Sequence, residues 1–218
     1  MKSAIVIPAR LASTRFPEKM LADVGGTTLI RKVYDQCLLT GFDVYVVTDS
    51  ERISSQVPNA LIEMEAENGT TRIAKILDRL PYYQCIINVQ GDMVTVPVDG
   101  VKKLPELLAK HDVATLRHDM TIEQQSDPNT VKVIHTGEKA HWFCRSPLSY
   151  GSWHYGIYAY HPSHLKKYPY LKQYQEELSE SLEQLRWLQN GYTIGVIDSE
   201  PAAEINTKAD LENYLKNL

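Results

Sequence analysis

Ala4-Ile5-Val6-Ile7, followed by Pro8-Ala9-Arg10-Leu11-Ala12-Ser13-Thr14-Arg15-Phe16-Pro17-Glu18-Lys19, decides how this chain is read. The apolar run has the length of a buried strand and falls far short of a signal peptide or a membrane span. A long polar loop then leaves the carboxyl end of that strand, where open α/β sheets bind ligands. Arg10, Arg15 and Lys19 give it three cations, Ser13 and Thr14 two hydroxyls, and Pro8 and Pro17 limit its wandering. Arginine offers a planar fork that matches phosphate oxygens in pairs, and lysine a compact charge, so the set suits a triphosphate. An exposed loop with solvated charges fits the same spacing.

Beyond the loop, short β-branched runs alternate with segments of helical period, which predicts an α/β sheet with helices on its faces. Helices are expected over 28–40, 71–80, 98–110, 176–190 and 208–218, and strands over 43–48, 85–89 and 192–197. Cys85 to Val89 is continuously apolar, as in the middle of a parallel sheet. Strands over 112–116, 131–135, 140–144 and 155–160 crowd together without full helices between them. The second half is therefore expected to include antiparallel pairing, giving a mixed sheet of undetermined strand order.

With 218 residues, 43% hydrophobic and 23% charged, the chain fits one domain, 1–218, with room for a small annex over roughly 128–175. A net charge of −4 points away from nucleic acid and from anionic membranes, so an anionic substrate needs a local basic cluster. Cys37, Cys85 and Cys144 lack metal-site spacing and read as buried or half-buried thiols of a cytoplasmic protein.

The loop pattern PAR-x-x-STR-x-P-x-K resembles the nucleotide-binding loop of the CMP-Kdo synthetases, the 3-deoxy-manno-octulosonate cytidylyltransferases. Sialic-acid cytidylyltransferases carry a related loop with a Gly-Ser-Lys core that is absent here. Further matches follow in order along nearly the whole chain. Val47-Thr48-Asp49 resembles the end of the family's second strand, and Asn68-Gly69-Thr70-Thr71-Arg72 its turn into a helix. Asn88-Val89-Gln90-Gly91-Asp92 is its NVQGD segment. Asp127-Pro128-Asn129 with Val131-Lys132-Val133, then Phe143-Cys144-Arg145-Ser146-Pro147, then His154 to Tyr160, then Ser181 to Arg186 continue the series.

The resemblance implies a Rossmann-like nucleotidyltransferase fold with a mixed, mostly parallel sheet, and a homodimer. It implies transfer of CMP from CTP to an acidic 3-deoxy sugar, with release of pyrophosphate, for lipopolysaccharide synthesis. It assigns Arg10, Lys19 and Asp92 to catalysis. To the nucleotide it assigns Pro8, Ala9, Arg10, Ser13, Thr14, Arg15, Lys19, Thr48, Asp49, Asn68, Gly69, Thr70, Arg72, Gln90 and Gly91. The sugar acid falls to Gln90, Arg145, His154, Tyr155, Glu183 and Gln184, and Mg²⁺ to Asp92 with Asn206. Plainer readings stand beside these. Gly91-Asp92 fits a turn, Glu183 and Arg186 are spaced to pair with each other, and Tyr155, Tyr158 and Tyr160 suit sheet packing or a dimer face.

Four positions depart from the pattern. Glu18 stands where the family usually has glycine, placing a negative charge in a phosphate loop. Met93-Val94 replaces Glu-Pro, and the segment from Pro147 to His154 is short. Asn206 replaces the aspartate that serves as second metal ligand, so weaker Mg²⁺ binding is expected, and Asp210 is expected to face solvent. Another sugar acid (8-amino-Kdo or a sialic-like one) and a non-catalytic nucleotide binder are the competing readings.

Overall fold

The computed structural model describes residues 1–217. In chain order the elements are β1 (Ser3–Ala9), α1 (Leu29–Leu38), β2 (Asp43–Thr48), α2 (Glu51–Ser54), β3 (Ala60–Ile62), α3 (Gly69–Ile76), β4 (Cys85–Asn88), α4 (Val98–Leu108), β5 (Val113–His118) and α5 (Ile122–Ser126). There follow β6 (Lys132–Thr136), β7 (Lys139–Cys144), β8 (Ser152–Tyr160), α6 (Pro162–Leu165), α7 (Gln175–Glu180), α8 (Gln184–Gln189), β9 (Ile194–Asp198) and α9 (Lys208–Lys216). The nine strands form one mixed sheet in the order β3-β2-β1-β4-β8-β5-β9-β7-β6. Strands β1 to β4 are mutually parallel, and β8 runs antiparallel between β4 and β5. The hairpin β6–β7 extends this sheet, and β6 returns to pair with Ser152 and Trp153 of β8.

Alternation along each strand divides the core between the two faces of the sheet. Ile5, Ile7 and Ala9 of β1 face one side, packed with Leu29, Ile30 and Val33 of α1 and Val101 and Leu104 of α4. Ala4 and Val6 face the other, with Ile73 and Ile76 of α3 and Leu185 and Trp187 of α8. Strand β1 runs two residues past the apolar run, through Pro8 and Ala9. Its pairing with β4 ends at Val6, so the missing N–H of Pro8 interrupts no ladder on that side. All three cysteines are buried free thiols.

The helix expected over 176–190 is two helices. Ser181 adopts a left-handed conformation (φ 54°) between α7 and α8. Arg186 donates to both carboxylate oxygens of Glu177, at 2.8 and 2.6 Å, with both residues buried. Nine residues along one continuous helix, these side chains would be roughly 13 Å apart along the axis and on opposite faces. Breaking the helix brings them together. It also sets aside the plainer reading in which Glu183 pairs with Arg186, because Glu183 turns toward α3 and accepts from Thr70. At the other end of the chain, Asp210 does not simply face solvent. Its carboxylate accepts the N–H groups of Asn206 and Thr207 in a capping box at the start of α9. The expected end of that helix at Leu218 lies outside the described residues. Among the described residues no helix is long and apolar enough to cross a membrane.

Candidate active site

The carboxyl ends of β1 and β4 and the amino end of α3 enclose a cavity of about 390 Å³. Pro8, Ala9, Arg10, Ser13, Thr14, Arg15 and Lys19 form one wall. Asn68, Gly69 and Arg72 form a second, and Gln90, Gly91 and Asp92 a third. The close approach of these walls requires glycine at 91, where a Cβ would stand 3.2 Å from the carbonyl oxygen of Pro8 and 2.9 Å from the sulfur of Met20. Asn68 caps α3 by accepting the N–H of Thr71 at 2.8 Å, so the helix opens on the cavity with Gly69.

Lys19 and Asp92 meet inside this cavity at 2.6 Å, with side chains only 8% and 21% exposed. Their charges are thus held in a partly dry cleft, where they act more strongly on a phosphate than in water. Glu18 does not enter the cleft. Its carboxylate turns outward to chelate Arg52, with 3.0 Å for one of the two contacts, so the expected negative charge in the phosphate loop is neutralised outside it. Glu18 does adopt the left-handed conformation, φ 53° and ψ 29°, that glycine takes most easily.

Three of the residues expected on the nucleotide stand behind the wall. Thr48 is fully buried, its hydroxyl accepting the N–H of Ser50. Asp49 accepts the N–H of Leu11 at 2.9 Å and contacts Arg72 at 3.3 Å, bracing the phosphate loop against α3. Thr70 donates its hydroxyl to Glu183 at 2.6 Å.

A second cavity of about 610 Å³ adjoins the first, and Arg15, Gln90 and Glu183 line both. Arg145, His154, Gln184, Glu204 and Asn206 line it, together with Gly156 and Tyr158. Arg145 is clipped in place by the carbonyl oxygens of Glu180 and Pro128, at 2.9 and 3.2 Å. Beneath it, the fully buried Lys132 donates to the carbonyl oxygens of Asp127 and Arg145. His154 shares a hydrogen bond with Thr115 at 3.0 Å; burial, aided by the charge of Arg145, pushes its ring down to about 3 and keeps it neutral. Burial raises the Glu183 carboxyl, against the hydrogen bonds from Thr70. The buried side-chain nitrogen of Gln184 lacks a partner among the described residues, a donor free for a ligand oxygen.

Tyr155 does not reach this cavity. It packs on the opposite face of β8, where its hydroxyl accepts the N–H of Ala202 at 3.2 Å. Tyr158 is on the cavity side, and strand parity carries that signal, because 154, 156 and 158 share a face. Gly156 lines the cavity at a bulge, where it and Ile157 of β8 stand unpaired opposite Thr115 and Leu116, and the Thr115 hydroxyl donates to the carbonyl of Ile157 at 2.6 Å. Glu204 was not legible as a site residue. It is exposed where it lines the second cavity. Desolvation by the protein around it, and next the Asp92 carboxylate, push its carboxyl up to about 7.

A loop of cations at the end of the first strand, a glycine-led helix and a carboxylate at the tip of β4 define a nucleotidyltransferase. The family model described as Cytidylyltransferase matches residues 4–194, and the chain belongs to that family. A 3-deoxy-manno-octulosonate cytidylyltransferase of Francisella tularensis subsp. holarctica (strain LVS) is 35% identical over 97% of this chain and 96% of its own length. The protein of the same name from Dichelobacter nodosus is 36% identical over 95% of this chain and 93% of its own. Among solved structures, CMP:2-keto-3-deoxy-manno-octonic acid synthetase complexed with CTP matches with a TM-score of 0.93 at 32% identity, covering 100% of this chain and 98% of that one. HddC from Yersinia pseudotuberculosis, at 14% identity and a TM-score of 0.73, shares the fold.

Proposed function

We propose that this chain transfers CMP from CTP to 3-deoxy-manno-octulosonate, releasing pyrophosphate. The observation that carries the reading is the continuity of the two cavities. The cationic loop and Asp92 stand at one side, Arg145 and Gln184 at the other, and Arg15, Gln90 and Glu183 are common to both.

In this reading Arg10, Arg15 and Lys19 neutralise the triphosphate, and Gly69 offers a helix N-terminus to an anion or a base edge. Arg145, a fixed cation, pairs with the carboxylate of the sugar acid. Neutral His154 and the free donor of Gln184 orient its hydroxyls. The anomeric hydroxyl attacks the α-phosphorus in line and loses its proton to solvent, and the bond to the pyrophosphate oxygen breaks. Lys19 stabilises the charge that accumulates on the departing pyrophosphate. Positioning and charge supply the rate, with no covalent intermediate on the enzyme.

The donors beside the cleft are carboxylate and amide oxygens, which match a hard cation such as Mg²⁺. Asp92 and a second oxygen donor from residues 204–206 would hold it, and when bound it would draw charge from the α-phosphate. The working form we propose is a cytoplasmic homodimer.

Pyrophosphate release tests the reading, with CTP or UTP set against Kdo, 8-amino-Kdo and N-acetylneuraminate. Release with CTP and Kdo is the expected result. Release only with another sugar acid moves the specificity, and silence in every combination while CTP still binds refutes the catalytic reading.

A further inference from the structure

We propose that Glu204, rather than Asn206, supplies the second protein ligand, a carboxylate, of the cation site beside Asp92. The inference rests on the nucleotidyl-transfer reading above and departs from the ligand set that the motif resemblance implies.

Residues 203–206 run antiparallel to the segment that follows Asp92. Thr95 and Ala203 exchange backbone hydrogen bonds at 3.1 and 3.3 Å, and the N–H of Ile205 donates to the carbonyl oxygen of Asp92 at 2.9 Å. In this extended segment alternate side chains share a side. Ile205 is buried in the core, 1% exposed, so Glu204 and Asn206 both turn to the cleft.

Asn206 is poorly free to bind a cation. Its side-chain oxygen accepts from the Arg15 guanidinium at 3.0 Å, and its side-chain nitrogen donates to Oε2 of Glu204 at 3.2 Å. The amide thus bridges a cation and a carboxylate already present. Oε1 of Glu204 makes no hydrogen bond among the described residues. It faces Gly156, where a Cβ would stand 3.9 Å away and narrow the space in front of it. Mg²⁺ is usually held by one or two carboxylates plus substrate phosphates. Asp92 and Glu204 together make that complement. The unit charge missing at 206 is restored two residues earlier, on the same side of an extended chain.

CTP titrated calorimetrically, first in EDTA and then in saturating Mn²⁺, reads the site without turnover. The ratio of the two affinities is the metal's contribution. Glu204→Gln should cut that ratio tenfold or more, about 1.4 kcal/mol. In EDTA the same variant should bind CTP at least as tightly as the unaltered chain, because a negative charge near Asp92 has gone; this also reports an intact fold. Asn206→Ala should change the ratio less than threefold, and the double variant E204Q/N206D should recover most of it. An unchanged ratio in E204Q, or an equal loss in N206A, overturns the proposal and leaves nucleotidyl transfer standing. So does a Glu204→Gln variant that keeps the ratio and loses only a preference for an amino sugar acid, which would make Glu204 an ammonium contact. Failure of the unaltered chain to bind CTP in either condition removes both readings.

Discussion

Replacing Glu177 with glutamine removes one charge from a pair whose side chains are 5% (Glu177) and 3% (Arg186) exposed. The arginine left behind keeps one amide acceptor, the face of the Tyr168 ring 4.6 Å away, and a distant carboxylate, Glu67, at 3.7 Å and 60% exposed. Stranding a buried charge costs about 3–5 kcal/mol, and the residual partners put this variant near the lower figure. For a chain of this size about 3 kcal/mol corresponds to a fall in Tm of roughly 6–12 °C. Urea and thermal unfolding of Glu177→Gln measure it, with Asp35→Asn as the control. That variant breaks an exposed pair with Arg31, side chains 46% and 45% exposed, and should lose about 0.5 kcal/mol or less. Because the pair fixes the break that presents Glu183 and Gln184, KM for the sugar acid should rise more than KM for CTP. Replacing both members with apolar residues (Glu177→Leu, Arg186→Met) should recover stability to within about 1 kcal/mol, since no charge is then stranded. A loss below about 1 kcal/mol in Glu177→Gln would refute the account, placing the pair with ordinary surface contacts.

Lys19→Ala should lower turnover tenfold or more, about 1.4 kcal/mol in the barrier, and an unchanged kcat removes Lys19 from the reaction. At Glu18 the left-handed backbone predicts that Glu18→Gly is more stable than Glu18→Ala by about 1 kcal/mol, the reverse of the order in a helix. Equal urea midpoints for the two would show that no strain is stored there. His154 is held neutral, its pKa lowered to about 3 from 6.5, so below pH 6.5 the unfolded chain takes up a proton that the folded chain refuses. Stability should be intact above that pH and fall as pH drops toward 3, by about 1.4 kcal/mol per unit from this residue. Denaturant midpoints of His154→Gln should show that slope removed; an unchanged slope means the ring is protonated in the folded protein.

The sequence by itself determined what depends on neighbours along the chain. The first strand, the cationic loop, the glycine-led start of α3 and Asp92 after an apolar strand could each be read locally. Residues that sit on adjacent loops at one end of a parallel sheet converge whatever the order of the outer strands. The tertiary structure decided whatever depends on partners far apart in sequence. Thr48 and Asp49 match the motif series but stand behind the wall, where Asp49 braces the loop because it finds Leu11 and Arg72. The strand parity of β8 groups Tyr158 with His154 and sets Tyr155 opposite them; which face met the cleft was decided by the tertiary structure. The pattern over 176–190 is helical, whereas the structure breaks it at Ser181 and joins Glu177 to Arg186 across the break. Glu204 carries no local signal, since its place beside Asp92 comes from backbone pairing between segments more than a hundred residues apart in sequence. Local propensity is worth tenths of a kcal/mol per residue, whereas a stranded buried charge costs several, so tertiary partners win where the two conflict.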